Sequence, residues 1–275
     1  YIYTLPHLLA AGETLSAIDV DSSLGGKGAN QSLAIARAGG SIFHAGQIHK
    51  ADEAWLSQLA DEGVMLTHVI RSDMATGHAI VMVDGLSGEN QIVLSPGAND
   101  QLPVDMIAPF LAPARNQDWA LSQNETNLTT SFLTAAKNKG MKICYSAAPF
   151  VAEITASLLP LVHLLIVNHI EAAALTAHQG CTADALGVPH LIITSGAKGA
   201  DYCGDEGSFH VPAPRVEPVD TTGAGDTYLG YVLAGIDSGQ SMQEAMQDAA
   251  QAAALQVTRH GASAAIPRRD ELVVE

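Results

Sequence analysis

The 275-residue sequence predicts an α/β domain with a mainly parallel central sheet, helices on both faces of that sheet and a small β-sheet lid. From about residue 102, helix-like and strand-like segments alternate, whereas residues 64–95 hold strand-like segments in succession. Polar or glycine-rich clusters follow several strands, where open parallel sheets bind ligands. We expect one domain over residues 1–275, with lid strands drawn from about 1–24 and 64–95.

Composition excludes several classes of protein. The chain is 47% hydrophobic, so it can bury a core, and it has a formal net charge of −16. Such an acidic chain is unsuited to general nucleic-acid or anionic-membrane binding, and no apolar run reaches transmembrane length. Cys144, Cys181 and Cys203 lack CxxC spacing and indicate reduced thiols in a cytoplasmic protein. The histidines show no HExxH or other metal spacing.

In the first third of the chain, the period of the apolar residues changes from helical to alternating. Two amphipathic helices are predicted over 29–38 and 51–62, each followed by glycine. Three strands are then predicted over 64–71, 77–84 and 90–95, the last two joined by a turn-rich segment. These strands can cover a site as a lid, or form an antiparallel edge of the main sheet.

The remaining two thirds alternate regularly. Helices are predicted over 104–111, 127–138, 151–159, 170–176, 224–236 and 242–257. Strands are predicted over 118–122, 141–145, 163–167 and 190–194, and a hairpin over 200–203 and 209–211. Helices between parallel strands cover both faces of a sheet, which is the basis of the predicted architecture.

The stretch Asp220-Thr-Thr-Gly-Ala-Gly-Asp226 directly precedes a helix. Its glycines leave the N–H groups of the helix N-terminus uncovered, which favours an anion there. Asp226 in the same turn suits a base that takes a proton from a hydroxyl attacking that anion. The alternative is a glycine-rich loop entering a core helix, with Asp226 favoured there by the helix dipole.

A second glycine-rich loop, Gly25-Gly-Lys-Gly-Ala-Asn30, opens the first strong helix. Glycines around Lys27 allow a ligand to approach the main chain closely. The loop is not a Walker A motif, because Gly28 rather than Ser or Thr follows the lysine, and it is not GxGxxG. A tight turn with a solvated lysine is the alternative interpretation.

With one more residue each, the two loops are Gly25–Gln31 and Asp220–Thr227, nearly 200 residues apart, and they resemble the signature motifs of the ribokinase-like (PfkB) carbohydrate kinases. Further segments are similar to the family over essentially the whole chain, most closely to its ribokinase branch: Gly88-Glu-Asn90, Pro96-Gly-Ala-Asn99, Asn168-x-x-Glu171, Ile193–Gly199 and Val257–Ala262. The resemblance implies a ribokinase-like fold. It also implies a first strand ending in Gly-Ser-x-Asn-x-Asp, and this chain begins just past that point.

The resemblance assigns roles to the two loops. Asp226 is implied to be the general base, and the amides of Gly223, Ala224 and Gly225 the anion hole for the transferring phosphoryl group. The implied sugar ligands are Gly25, Gly26, Lys27, Asn30 and Glu125, together with Asp226 itself.

Nucleotide and ion sites are implied in the same way. Asn168, Thr194, Gly196, Lys198, Gly199 and Gly225 correspond to ATP-binding positions of the family. Asn168 and Glu171 correspond to its Mg²⁺ motif, acting through water, although a helix cap with a surface acid is the alternative. A monovalent cation, K⁺, is implied at Asp220, Thr222, Arg259 and Gly261, mostly through backbone atoms.

The implied function is ATP-dependent phosphorylation of a primary hydroxyl of a small sugar, most simply D-ribose to ribose 5-phosphate. Two alternatives remain: the same chemistry on a nucleoside, ketohexose or keto-deoxy acid, or a catalytically degenerate protein that binds sugar or nucleotide. A dinucleotide-dependent oxidoreductase is disfavoured because GxGxxG is lacking. The resemblance also implies a homodimer formed through the lid.

Overall fold

The computed structural model describes residues 1–272 and contains three β-sheets and eight α-helices in that range. The strands are β1 Ile2–Leu5, β2 Asp19–Asp21, β3 Phe43–His49, β4 Met65–Ser72, β5 His78–Asp84, β6 Asn90–Ser95, β7 Trp119–Ser122, β8 Lys142–Ser146, β9 Leu164–Asn168, β10 His190–Thr194, β11 Ala200–Gly204 and β12 Gly207–Val211. The helices are α1 Lys27–Arg37, α2 Ser57–Asp61, α3 Ile107–Leu111, α4 Thr129–Asn138, α5 Ala152–Leu158, α6 His169–Gln179, α7 Ala224–Asp237 and α8 Met242–Gln256.

The main sheet has six strands in the order β12-β11-β10-β9-β8-β7. Strands β7 to β10 are parallel, and β11 and β12 form an antiparallel hairpin at one edge. Alternate residues of β9 face opposite layers: Leu164 and Ile166 pack in the cluster that contains α7 and α8, while Leu165 and Val167 pack with α4, α5 and α6. The predicted mainly parallel sheet with helices on both faces is confirmed.

The lid is a four-stranded sheet in the order β2-β1-β5-β6. The segment predicted as a strand over 64–71 is β4, and it does not belong to this sheet. It pairs in parallel with β3, a strand that was not predicted, to form a separate two-stranded sheet. The prediction that residues 64–71 contribute to the lid is therefore wrong, since hydrogen bonding to a distant partner decides where a strand belongs.

Two strand edges border one large cavity, of about 1770 Å³. Consecutive residues of β3, from Phe43 to His49, and of β7, from Trp119 to Ser122, line it. Because side chains alternate between the faces of a strand, a run of consecutive lining residues means that the strand edge faces the cavity. Tyr1 and Ile2, where the chain enters the lid, line the same space. The expectation of a further strand ahead of Tyr1 stays a prediction.

Candidate active site

The candidate active site lies where α1 and α7 cross at close range. A side chain at Gly230 of α7 would collide with the Cβ of Ala34 and lie 3.0 Å from the backbone nitrogen of Ile35 in α1. Residues four apart share a helix face, so Asn30 and Asp226 each lie one turn before this crossing. Because glycine at position 230 has no side chain, α7 can approach α1 closely enough for Asp226 to lie against the first turn of α1.

Asp226 is buried, with 8% of its surface exposed, and amides hold both of its carboxylate oxygens. The Asn30 side chain donates to Oδ2 at 3.0 Å, and the Gln31 side chain donates to Oδ1 at 2.9 Å. Burial raises the pKa of Asp226 above its ordinary value, while the Asn30 bond, the Lys27 charge and the Gln31 bond oppose that rise. The carboxylate is fixed in direction and is more basic than an aspartate in water.

The side-chain oxygen of Asn30 takes no part in the hydrogen bond to Asp226. This atom, Oδ1, is buried and has no hydrogen-bond partner among the described residues. A buried acceptor without a partner is costly, and a ligand hydroxyl that donates to it relieves that cost. Because Asn30 lines the cavity, its amide links Asp226 to a free acceptor for a polyol.

The loop at the start of α1 is closed by Glu125, which follows β7. The Glu125 Oε2 accepts a hydrogen bond from the backbone N–H of Lys27 at 2.8 Å. Burial raises the pKa of Glu125, against the lowering effect of this bond and of the Lys27 charge. The proposed sugar residues on α1, Glu125 and Asp226 all line the cavity, together with Gly25 and Gly26.

The glycine-rich loop before α7 ends in a helix N-terminus without a side-chain cap. Gly223 takes the N-cap position with φ of 77°, a left-handed conformation that favours glycine. The N–H of Ala224 donates to Thr221 O at 3.3 Å, so this amide of the predicted anion hole has a partner within the loop. An uncapped N-terminus beside a buried carboxylate suits an anion and a proton acceptor at the same point.

Behind this loop lies Gln256, whose side chain is fully buried. Its Nε2 donates to Thr222 O at 2.9 Å and to Ala262 O at 3.3 Å, and Thr227 Oγ1 donates to its Oε1. Gln256 thus holds the shape of the loop from the side away from the cavity. The sequence around Gln256 does not indicate this role, because Gln256 lies within the helical pattern of apolar residues that forms α8.

The residues predicted for a monovalent cation are organised around Asp220. Its two carboxylate oxygens accept from the backbone N–H groups of Thr222 and Gly261, each at 2.9 Å. Desolvation acts to raise the pKa of Asp220, but the bonds from Thr222 and Gly261 outweigh it and lower the pKa. Arg259 points elsewhere and pairs with Glu271 at 2.6 Å.

The predicted nucleotide residues lie at the carboxyl ends of neighbouring parallel strands. Asn168 ends β9, Thr194 ends β10, and the two are paired in register. The loop that follows β10 contains Gly196 and Lys198 and closes at Gly199, whose φ is 100°. A side chain at Gly199 would collide with the carbonyl oxygen of Val211, so only glycine fits.

Asn168 and Glu171 form a capping box at the start of α6. Asn168 Oδ1 accepts from the N–H groups of Ile170 and Glu171, each at 2.9 Å, and Glu171 Oε2 accepts from Asn168 N at 2.8 Å. The pair offers oxygen donors, which suit Mg²⁺, but only one carboxylate. Within residues 1–272 no cluster of three or more His, Cys, Asp or Glu side chains could hold a metal ion. An ion here therefore needs oxygens from water or nucleotide phosphates.

Comparison with known proteins identifies the family to which the chain belongs. The family model for pfkB family carbohydrate kinases matches residues 2–269. The ribokinase of Haemophilus influenzae is 33% identical, over 98% of this chain and 93% of its own length. Among solved structures, ribokinase from Thermotoga maritima is 30% identical with a TM-score of 0.86, covering 98% of this chain and 93% of the other.

A third relative was solved with ligands. Arabidopsis thaliana ribokinase complexed with ribose and ATP is 26% identical to this chain, with a TM-score of 0.85 and coverage of 98% and 93% of the two chains. The expected ribokinase-like fold is thus confirmed over nearly the whole chain. With a matching family model and a relative above 30% identity, the chain belongs to the pfkB family of carbohydrate kinases.

Proposed function

We propose that this chain transfers the γ-phosphoryl group of ATP to the primary hydroxyl of D-ribose, giving ribose 5-phosphate and ADP. The observation that carries the proposal is the pairing of Asp226 with Asn30 at the uncapped start of α7. One amide there joins a buried base to a buried acceptor that has no partner among the described residues, and Asn30 itself lines the cavity. The names of the ribokinase relatives supply the identity of the sugar.

The proposed step follows from this geometry. The hydroxyl proton passes to the Asp226 carboxylate while the hydroxyl oxygen bonds to the γ-phosphorus, and the bond from that phosphorus to the bridging oxygen of ADP breaks. The amides of Gly223, Ala224 and Gly225 and the helix dipole stabilise charge on the transferring group. Because aspartate is a weak base, most of the rate gain comes from holding the hydroxyl in line.

The proposal includes two ions. Mg²⁺ would be held through water by Asn168 and Glu171, where it supplies charge neutralisation to the nucleotide phosphates. K⁺ would lie beside Asp220, the backbone of Thr222 and the loop that carries Arg259 and Gly261, where it strengthens the positive field of the anion hole. The ATP positions are those at the ends of β9 and β10, with Gly225.

ADP release measured across a panel of acceptors tests the proposal. The panel contains D-ribose, 2-deoxyribose, ketohexoses, keto-deoxy acids and nucleosides, and ³¹P NMR identifies the phosphorylated hydroxyl. We expect ribose to give the highest kcat/KM, and Asp226→Asn to lower kcat by roughly 10²- to 10⁴-fold. Preference for a nucleoside overturns the choice of acceptor, and sugar binding without turnover favours the degenerate binding protein.

We also propose a homodimer formed through the lid. Strand register places Tyr3, Val20, Ile80, Met82 and Val93 on the lid face opposite the cavity. Val20 is 53% exposed and Val93 is 55% exposed. An exposed apolar face on a thin sheet is typical of an interface. Light scattering at micromolar concentration should give a dimer that Val93→Lys dissociates, and a strict monomer contradicts the proposal.

A cytoplasmic location completes the proposal. The reaction consumes ATP, and Cys144, Cys181 and Cys203 are free thiols. No helix among residues 1–272 is both long and apolar enough to cross a membrane.

A further inference from the structure

Gln31 is fully buried, its amide donates to the Asp226 carboxylate, and it is not among the residues that line the cavity. It directly follows Asn30 in α1, yet the two amides approach different oxygens of Asp226. Asn30 therefore borders both Asp226 and the ligand space, whereas Gln31 contacts Asp226 but does not border the ligand space. The close crossing of α1 and α7 permits both contacts.

Both N–H donors and the carbonyl oxygen of the Gln31 amide have hydrogen-bond partners. Its Nε2 donates to Asp226 Oδ1 at 2.9 Å and to Ser146 Oγ at 3.3 Å, and its Oε1 accepts from Gln123 Nε2 at 2.5 Å. Because an ionised carboxylate can only accept, the nitrogen end of the Gln31 amide faces Asp226, and its oxygen end is left to accept from Gln123. A fully satisfied buried network of this kind is rigid.

We infer that Gln31 is a positioning residue for the general base: supported by Gln123 and Ser146, it holds Asp226 Oδ1 so that Oδ2 is directed at the acceptor hydroxyl. The inference rests on the proposed phosphoryl transfer. Gln31 also stabilises the ionised form of Asp226, because its N–H bonds more strongly to a charged carboxylate oxygen than to a neutral carboxyl group. The other charged groups that interact with this carboxylate are Lys27 and Glu125.

Gln31→Met tests the inference, since methionine has a similar length and cannot donate a hydrogen bond. We expect kcat at neutral pH to fall about tenfold or more through lost alignment of the base. The KM for the sugar should stay unchanged, because Gln31 does not reach the cavity. The acidic limb of the kcat profile should move up by about one pH unit, the size expected for a lost bond to a charged group.

A titration without substrate separates this inference from the proposed function. The Asp226 carboxyl is followed by ¹³C NMR with labelled aspartate, its signal being the one that Asp226→Asn removes. Its pKa should rise by about one unit in Gln31→Met. If the Asp226 carboxyl of Gln31→Met titrates with the same pKa as in the parent, the inference is overturned, whichever sugar is phosphorylated. If its pKa rises, the inference is supported even when ribose is not the acceptor.

Two further variants complete the experiment. Gln240→Met is the matched control, because Gln240 also donates from Nε2 to an aspartate, Asp248, at 2.9 Å, but in the turn between α7 and α8. It should lower stability while leaving kcat and the Asp226 titration parental. Gln123→Met removes the hydrogen bond that supports Gln31 and should shift the titration the same way by a smaller amount. If Gln31→Met does not fold, a parental titration in Gln123→Met overturns the inference.

Discussion

At the scale of single residues, the site depends on a carboxylate that burial makes basic and amides keep ionised. Asp226 loses most of its contact with water in the fold, and Asn30 and Gln31 replace it with one donor for each oxygen. A neutral amide donor stabilises the carboxylate charge without competing for the hydroxyl proton. A lysine in direct contact would compete for that proton. Lys27 contributes only through the field that it exerts on Asp226.

The pH dependence of stability should show the raised pKa of Asp226. Its folded pKa lies above the ordinary value of 3.8, so the folded protein binds more protons than the unfolded chain just above that pH. The contribution of Asp226 is therefore complete below pH 3.8 and is lost as pH rises through the folded pKa. Urea unfolding at a series of pH values should show the parent losing stability relative to Asp226→Asn across that window.

The prediction concerns how the difference in stability between the parent and Asp226→Asn changes with pH. A constant difference in the free energy of unfolding between the two proteins therefore does not affect it. Asn at position 226 changes one acceptor into a donor, which shifts the stability of the variant equally at every pH. If the parent instead gains stability relative to the variant as pH rises above 3.8, the pKa of Asp226 is lowered and the argument is wrong.

At the scale of elements, the α1–α7 crossing determines the distance between the base and the sugar residues. In Gly230→Ala, a methyl group would collide with Ala34 Cβ and lie 3.0 Å from Ile35 N. Overpacking costs about 1–3 kcal/mol, against roughly 1 kcal/mol gained by placing alanine instead of glycine in a helix. We expect a small loss of stability and a larger loss of kcat, because the helices separate at Asn30 and Asp226.

Gly235→Ala is the matched control for this prediction. It changes the same helix, but its methyl group would lie 2.8 Å from Ala245 Cβ in α8 rather than against α1. We expect a comparable loss of stability in urea unfolding with parental kcat. Equal losses of kcat in the two variants would show that general stability, not the crossing, sets the rate.

The elements also show what the sequence can predict. The regular alternation gave α4 to α8 and β7 to β12 close to their observed bounds, because each has a clear period and a turn or glycine at its end. β3 was missed because His44, Gly46 and His49 interrupt its apolar pattern. Its partner β4 was assigned to the wrong sheet, since pairing depends on residues far away in the chain.

The same limit applies to the site. Asp226, Asn30 and Glu125 stood out because they lie in motifs with a known family pattern. Gln31 ends the first of these motifs but received no role, and Gln256 lies in no motif, because an amide inside a helix has no pattern that distinguishes a buried partner from a solvated one. Only the packing of α1 and α8 against α7 shows what those two amides contact.

At the scale of the whole molecule, the two sheets next to the cavity have edges that a strand can join. β3 and β7 each present consecutive residues to the cavity, and the chain enters the lid beside it at Tyr1 and Ile2. We predict that an extended segment fused ahead of Tyr1, with the family pattern Gly-Ser-x-Asn-x-Asp at its end, pairs with both edges. Such a strand would join the six-stranded and two-stranded sheets into one.

The sizes of the expected free-energy changes decide which measurement can detect the pairing of this strand. Burying a large apolar side chain contributes about 1.5–3 kcal/mol, but fixing each residue of the new strand costs about 1–2 kcal/mol, so the net change in the free energy of unfolding is small. Hydrogen exchange is the sharper readout, because pairing protects the edge amides directly. We expect slower exchange in β3 and β7 and a lower KM for the sugar, relative to a Gly/Ser extension of equal length. Equal exchange at both edges with the two extensions would contradict the prediction, since only pairing distinguishes them.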